Sequence, residues 1–364
     1  MAHDTSVASA GGQPPAGAPG GNSAGARVYL RAQSRRGFVT GVVAPLCKDL
    51  ADSGLARGIH LSSGWRFGSH LDLGAQPASQ APLDWAAMAR SLSAGAESHL
   101  PATDESDADY LKMARMLGRI EEVPPPYLPR RPHGDTELLP EATAPMELLL
   151  QTGRAHQLAP LLEAAAAGSG GTLLSRVAEA FLALAASHPH GVRFGTFSLR
   201  SHAEAFFHWA GPAADYRSQF EDRMGRDVAV LQELVRRARD GVPSDAAARW
   251  AQAFRACRAS FEGRVCDADL DRASGQAPAA PSGAGRSAFH QAVAASGVID
   301  RTPPWFAGFR LTINVFYQLL PVLDVSPVQR FYLCYALAET VDAVYRESWQ
   351  ERLAGVAALM AAAR

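Results

Sequence analysis

The second part of the chain, from Thr143 onward, repeats its apolar residues at helical spacing. Residues 172–186 show this pattern. In residues 213–240 the apolar stripe consists of Phe220, Met224, Val228, Leu231 and Val235, spaced by four, four, three and four positions. Such spacing cannot present one buried face from a β-strand. We therefore predict that residues 141–364 form a mainly helical half, which excludes an all-β fold.

The first part of the chain has a different pattern. Residues 1–26 consist largely of Gly, Pro, Ala and Ser, which bury little surface, so we predict a disordered tail. RVYLRAQ, from Arg27, alternates apolar and polar residues and predicts a strand, and IHLSSGWRFGSHLDLGA predicts a hairpin. Residues 27–140 would form a mixed half with antiparallel strands. The predicted class is α+β, with residues 27–364 as one domain.

Local signals place further elements along the chain. GFVTGVVAPLCKDLADSGLARG and residues 82–99 and 104–121 predict helices, and VPPPYLPRRPHGDTELLP predicts a connector with a short strand at most. Ser201 and Glu204 form a capping-box pattern that predicts a helix start, as do Ser326 and Gln329. Residues 267–285, rich in Gly, Pro and Ala, predict a mobile loop.

Composition excludes several classes of function. The 35 basic and 36 acidic residues nearly cancel, which argues against binding of nucleic acid through bulk electrostatics. No apolar run reaches the roughly 20 residues of a membrane span, and the N-terminus has no signal-peptide core. Four cysteines lack metal-ligand spacing and are expected to be buried thiols: Cys47, Cys257, Cys266 and Cys334. We expect a cytoplasmic, metal-free protein.

Common catalytic motifs are missing from the sequence. There is no GxGxxG after a strand, no GxxxxGK[ST], no HExxH and no GxSxG. Only Lys48 and Lys112 are lysines, so most cationic groups are guanidinium groups, which bind carboxylates through two parallel hydrogen bonds. The motifs alone indicate only an α+β protein without a cofactor.

Three segments, in order, resemble a known family. RVYLRAQ followed by GWRFGSHLDLGA resembles the hairpin of the C-terminal module of lantibiotic dehydratases. FSLRSHAEAFFHW resembles that module's Ser/Arg-rich segment ahead of a long helix, and LTINVFYQLLPVLDVSPVQRFYLCYALAETV resembles its final helical pair. Their order and spacing, over roughly residues 27–350, resemble a free-standing version of the module, as in the thiopeptide pyridine synthases.

The resemblance implies a substrate and a reaction. The partner would be a leader-bearing, dehydrated, azole-containing precursor peptide. Two of its dehydroalanines would join in a formal aza-[4+2] cycloaddition, and loss of water and of the leader would give a pyridine and a macrocycle. That scheme requires neither a cofactor nor a metal. A roomy cavity with rigid walls would bring the two dehydroalanines together.

Two alternatives remain open. One is a glutamyl-elimination subunit of a split dehydratase, which would need His, Arg and Glu around residues 130–140 and 314–318. The chain has PRRPHGDTELLP and NVFYQLL there, which matches that need only in part and favours the cyclase. The other is an escort that binds the leader without chemistry.

Tyr317 is the first catalytic candidate. It lies among apolar residues in NVFYQLL, so its hydroxyl must face a cavity or find a buried partner. A core tyrosine bonded to a backbone carbonyl is the alternative. Gln318, on another side of the same helix, is a weaker candidate for substrate binding, and Arg200, in the Ser/Arg-rich segment, is a further one.

His202 and Ser287 are the other catalytic candidates. His202 follows the predicted cap Ser201, and the positive end of a helix would keep its imidazole neutral. A surface histidine without a task is the alternative. Ser287 follows the predicted mobile loop and would cap a helix from Ala288, a position where an oxyanion can also bind.

Three arginines of the first half are candidates for contact with the leader peptide. Leaders in such pathways are commonly acidic, so the resemblance implies a basic groove. The candidates are Arg31, Arg35 and Arg66. A scatter of solvated arginines is the alternative.

Overall fold

A computed structural model describes residues 23–31, 35–79, 82–100, 105–120, 123–168, 171–211, 214–265, 287–297 and 304–362. The predicted α+β class is confirmed. The first half contains one four-stranded antiparallel sheet, and the second half is helical. The strands are β1 Ser23–Tyr29, β2 Ala56–Gly64, β3 His70–Pro77 and β4 Thr136–Pro140. They lie side by side in the order β2, β3, β1, β4.

The sheet starts earlier than predicted. β1 begins at Ser23, so residues 23–26 belong to one of the two inner strands and the predicted disorder of these four residues is wrong. Gly25 pairs with Gly74 of β3, and a Cβ atom on Gly25 would lie 2.7 Å from the carbonyl oxygen of Leu73. The small residues that indicated disorder are therefore those that this close pairing requires. Residues 1–22 lie outside the described residues.

The predicted hairpin is confirmed as β2 and β3. Alternation along the strands buries Val28 and Leu71, which face each other in register, whereas Arg27 binds Asp72 through two hydrogen bonds of 2.7 and 3.0 Å. The helical segments of the first half are α1 Arg35–Phe38, a π-helical segment Val39–Val43, α2 Ala44–Asp52, α3 Trp85–Glu97 and α4 Asp107–Ile120. Of these, α2 and α3 pack on the sheet, whereas Tyr110 and Ala114 of α4 form a separate small cluster with Tyr127.

The second half consists of helices, most of which contribute to one apolar core. They are α5 Pro145–Ala166, α6 Gly171–Ala186, α7 Val192–Ala210, α8 Tyr216–Arg239, α9 Asp245–Phe261, α10 Ala288–Ala295, α11 Pro304–Leu319, a 3-10 turn Leu320–Leu323, α12 Pro327–Tyr345 and α13 Trp349–Ala362. α6 and α7 approach closely at Gly195, where an added Cβ would meet the carbonyl of Ala185. The predicted loop 267–285 lies outside the described residues.

α11 and the turn after it form a long apolar stretch. Within the described ranges, Trp305–Leu323 is the one segment long and apolar enough to cross a membrane, and 72% of its most apolar window is buried inside the fold. Burial of this kind is typical of the core helix of a globular protein, so the stretch does not indicate a membrane protein. Cys47, Cys257 and Cys334 are buried free thiols, whereas Cys266 lies outside the described residues.

One of the two predicted capping boxes is wrong. Ser201 lies inside α7, which begins nine residues earlier at Val192, because Leu199, Ala203 and Phe206 continue one buried stripe through it. The Ser326 box is confirmed, since Ser326 Oγ accepts from the Gln329 amide at 3.2 Å and Gln329 Oε1 accepts from the Ser326 amide at 2.8 Å.

Buried histidines predict an acid-sensitive fold. Burial lowers the pKa of His70 and of His188 to about 4, below the ordinary value of about 6.5. As pH falls through 6.5 the unfolded chain binds protons that the folded chain does not, so stability is full above pH 7 and falls toward pH 4. We expect a lower melting temperature at pH 5 than at pH 7.5, measured by calorimetry, and a smaller decrease for His70→Gln. Equal pH dependence of the two proteins would contradict this assignment.

Candidate functional site

Tyr317 lies near the end of α11, against α12. Its side chain is buried and its hydroxyl is 3.2 Å from Cys334 Sγ, which is its hydrogen-bond partner among the described residues. Burial raises the pKa of Tyr317 well above 10, so the hydroxyl keeps its proton at neutral pH. The expected buried partner is therefore a thiol rather than a backbone carbonyl. Because a thiol is a weak hydrogen-bonding group, the tyrosine can exchange it for a stronger acceptor at low cost.

His202 is in direct contact with Tyr317. The two rings make a T-shaped contact with a centroid distance of 4.9 Å and an interplanar angle of 85°. His202 Nδ1 lies 2.6 Å from the carbonyl oxygen of Ser198. Since a carbonyl only accepts, Nδ1 carries the proton and Nε2 keeps its lone pair.

The predicted neutral state of His202 is supported, but the predicted cause is wrong. His202 lies in the middle of α7 rather than in its first turn, so the helix terminus does not act on it. Burial is what lowers the pKa of His202 to about 4, and the nearby charges of Arg330 and Arg310 add to the decrease. The result is a proton donor, Tyr317, beside a proton acceptor, His202. We call Tyr317, His202, Cys334 and Arg330 the tyrosine cluster.

Two arginines place positive charge at Tyr317 and His202. The guanidinium carbon of Arg330 lies 5.1 Å from the centre of the Tyr317 ring and 4.5 Å from that of Phe331. Arg310 precedes Tyr317 by seven residues, which is two helical turns and places both on one side of α11. Such charges favour a negative charge that develops on a substrate oxygen.

Ser287 is part of a second polar arrangement beside the first. It caps α10 as predicted, accepting from the His290 amide at 3.4 Å, and its Oγ lies 2.7 Å from His290 Nδ1. His290 Nε2 lies 2.9 Å from Ser201 Oγ on α7, and Ser201 is the neighbour of His202. We call Ser201, His290 and Ser287 the serine–histidine bridge. Sequence reasoning missed His290, although its position three residues after a helix-capping serine was a usable signal.

Arg200 does not join these groups. It is 5% exposed, and its guanidinium binds Glu339 at 2.6 Å and Asp342 at 2.9 Å, both on α12. Asp342 also binds Arg352 of α13. The predicted substrate contact is therefore replaced by a buried ion-pair network that joins three helices.

Gln318 also faces away from the tyrosine cluster. Its Oε1 accepts from Arg154 of α5 at 3.1 Å, and its carbonyl lies 3.4 Å from Ser63 Oγ of β2. One residue along a helix is a rotation of about 100°, which turns Gln318 toward the sheet while Tyr317 faces α7 and α12. The structure thus gives Gln318 contacts between the two halves of the fold.

The three predicted leader arginines differ in their surroundings. Arg35 is 8% exposed and donates to the carbonyl of Pro321 at 2.6 Å and to Ser69 Oγ, so it cannot line a surface groove and that prediction is wrong. Arg66 stacks at 5.0 Å over the ring of Phe67 in the turn between β2 and β3. Arg31 follows β1 and is half-buried. Arg31 and Arg66 stay candidates for leader contact.

A roomy cavity beside the tyrosine cluster stays a prediction. A cavity of about 100 Å³ lies elsewhere, between α5, α6 and α9, lined by Glu163, Arg249 and Trp250 among others. It is too small for a macrocyclic peptide. Within the described ranges no three or more His, Cys, Asp or Glu side chains are grouped to hold a metal ion.

Comparison with solved structures identifies the fold. The chain superposes on the pyridine synthase TbtD from thiomuracin biosynthesis with a TM-score of 0.65 and 20% sequence identity, over 89% of this chain and 99% of that one. The chain has the pyridine synthase fold. It also superposes on TsrL with a TM-score of 0.59 and 15% identity, over 90% of this chain and 96% of that one. No family model and no curated protein matches the chain by sequence. The resemblance to pyridine synthases is thus confirmed at the level of the fold.

Proposed function

We propose that this protein forms the central pyridine ring of a thiopeptide by a formal aza-[4+2] cycloaddition between two dehydroalanines of one peptide. The observation that carries the proposal is the pyridine synthase fold over nearly the whole of the chain. The contact between a proton donor, Tyr317, and a proton acceptor, His202, supports it, because ring formation of this kind depends on proton transfers.

The first step creates the azadiene. His202 Nε2 removes the N–H proton from the amide that precedes one dehydroalanine, whose nitrogen is the dehydroalanine's own, and Tyr317 donates a hydrogen bond to the carbonyl oxygen of that amide, where negative charge develops. Arg330 and Arg310 stabilise that charge. The resulting C=N–C=C unit adds to the second dehydroalanine, which forms two C–C bonds and leaves the former carbonyl oxygen as a ring hydroxyl once it has been protonated by the His202 imidazolium.

Two eliminations then make the ring aromatic. In each, a base removes one ring proton and an acid delivers one proton to the leaving group. The leaving groups are the ring hydroxyl, which departs as water, and the leader, which departs as its carboxamide. Neutral His202 suits the base, and the Ser287 hydroxyl suits the acid. These steps transfer protons only, so we assign no cofactor, and we place this lyase-type activity on a leader-bearing precursor in the cytoplasm.

Glutamyl elimination is less well supported. It would need the charged groups of residues 130–140 to meet residues 314–318. The side chains of Arg130, Arg131 and His133 instead bind partners within the first half, and Gln318 binds Arg154. An escort role would require that the chain binds the precursor peptide without converting it.

A two-substrate assay tests the proposal. The purified chain is incubated, without added cofactor, with a leader-bearing azole peptide that contains two dehydroalanines, and separately with the same peptide carrying glutamylated serines. We expect consumption of the first peptide only. Consumption of the glutamylated peptide only would replace the cyclase by the elimination subunit, and binding without consumption would favour the escort.

Loss of the His202 base should slow the reaction strongly. We expect His202→Gln to lower kcat about a hundredfold, the lower end of the range for a general base, because glutamine cannot accept the amide proton. His208→Gln is the matched control, since His208 lies in the same helix and is exposed. Rates are measured by mass spectrometry of the peptide. A His202→Gln protein with the rate of the control would remove His202 from the mechanism.

A further inference from the structure

We propose that His290 is a positioning residue that holds and recharges Ser287 as the acid of the two eliminations. This inference rests on the proposed function. The observation behind it is that His290 uses both ring nitrogens on serines of two different helices: Nδ1 is 2.7 Å from Ser287 Oγ and Nε2 is 2.9 Å from Ser201 Oγ.

The geometry sets a direction for the protons. Ser287 Oγ is approached by two groups of His290, the backbone N–H at 3.4 Å and Nδ1 at 2.7 Å. If both donate, the two lone pairs of Oγ are occupied and the Ser287 O–H points away from His290. Nδ1 then carries the ring proton, and Nε2 accepts from the Ser201 hydroxyl. The Ser287 O–H is thereby directed away from His290 and can donate to a substrate.

The same arrangement can restore the proton that Ser287 gives away. In one elimination, the Ser287 O–H bond breaks as the leaving group gains the proton, and the Nδ1 proton of His290 moves to Ser287 Oγ. The Ser201 proton moves to Nε2, and solvent water restores Ser201, which is partly exposed. The ring proton lost by the substrate goes to His202, which releases it to solvent before the second elimination. That proton neutralises the hydroxide left by the water that reprotonates Ser201, and His290 regains its Nδ1–H form by proton exchange with solvent, so protons balance without another co-reactant.

A similar contact elsewhere provides a matched control. His156 of α5 lies 2.9 Å from Ser260 Oγ of α9, which is also a histidine–serine bond between two helices. It touches one serine rather than two, and neither residue belongs to the tyrosine cluster. If both histidine–serine bonds serve only to hold two helices together, replacing His156 and replacing His290 should affect the rate and the stability in the same way.

The test compares His290→Gln with His156→Gln on the azole peptide with two dehydroalanines. Glutamine can still bond to one serine but cannot carry a proton from one to the other. We expect His290→Gln to lower kcat by about ten- to a hundredfold with KM little changed, and to accumulate a cyclised species that still carries the leader. The solvent deuterium isotope effect on kcat should increase. His156→Gln should match the wild type in kcat, products and isotope effect.

Ser201→Ala provides the second variant, because it leaves the bond between His290 and Ser287 in place and interrupts only the supply of protons. We expect a several-fold lower kcat with the wild-type melting temperature. If both variants keep the wild-type kcat, products and isotope effect, the bridge is structural and the inference is overturned. If the wild type itself converts no peptide, the proposed function fails. That outcome is distinguishable from failure of this inference, because it is measured on the wild type alone.

Discussion

Replacement of Tyr317 by phenylalanine should lower the rate of pyridine formation by about 10²–10⁴-fold, the range for loss of one general acid or base. The hydroxyl is the proton donor beside neutral His202, and phenylalanine keeps the ring contacts with His202, Phe181 and Arg330. The free energy of unfolding should change little, because the variant loses only the weak hydrogen bond between the Tyr317 hydroxyl and the Cys334 thiol. Single-turnover kinetics with the azole peptide measure the effect.

Tyr332→Phe is the control for Tyr317→Phe. Tyr332 lies on α12 and its hydroxyl donates to Asp227 at 2.5 Å, so this variant loses a stronger hydrogen bond outside the tyrosine cluster. We expect a lower melting temperature and a nearly unchanged rate. Affinity for the peptide should be kept in both variants. If Tyr317→Phe turns over at the rate of the wild type, Tyr317 is a core residue, which is the alternative that the sequence left open.

Replacement of Arg200 by leucine should lower the free energy of unfolding by about 2 kcal/mol, because it leaves two half-buried carboxylate groups with fewer partners. Arg200 joins α7 to α12 through Glu339 and Asp342. Chemical denaturation measures the effect, and KM for the peptide should stay unchanged. Arg249→Leu breaks a half-exposed pair with Glu163 and should cost less than about 1 kcal/mol.

The same two variants decide between a structural and a binding role for Arg200. A raised KM with unchanged stability would restore the substrate contact that the sequence suggested. A loss of stability with unchanged KM supports the ion-pair network. Because denaturation reports the free energy of unfolding and the kinetics report KM, a loss of stability cannot be mistaken for a binding defect.

The fold was predictable where local patterns are sufficient. Alternation in the hairpin and the apolar stripes of α6 and α8 depend on residues near each other in sequence, and these elements appear where they were predicted, although Val228 of the α8 stripe is exposed. The strand predicted from Arg27 coincides with β1 only over residues 27–29. The prediction failed at residues 23–26, where glycine and alanine pair closely with β3, since their composition alone indicates disorder. It failed again at Ser201, where a capping pattern lies inside a longer helix.

The site was predictable only in part, because most of its contacts are long-range. Tyr317 and His202 were both chosen from the sequence, but their contact, 115 positions apart, depends on how α7 packs on α11. The bond between His290 and Ser287 had a local signal, but the second bond of His290, to Ser201, joins residues 89 positions apart and depends on packing. Arg200 and Arg35 looked like surface cations, and only packing revealed that each is buried with partners from another helix or turn.

The central claim is that this chain makes a pyridine. The most direct measurement is mass spectrometry, combined with ultraviolet absorbance, of the purified chain with a leader-bearing azole peptide containing two dehydroalanines. The account predicts that the leader carboxamide and a macrocyclic product with a pyridine chromophore appear in equal amounts, the product lacking the leader and one water. Recovery of the unchanged peptide, while a binding assay detects its complex with the chain, would contradict it.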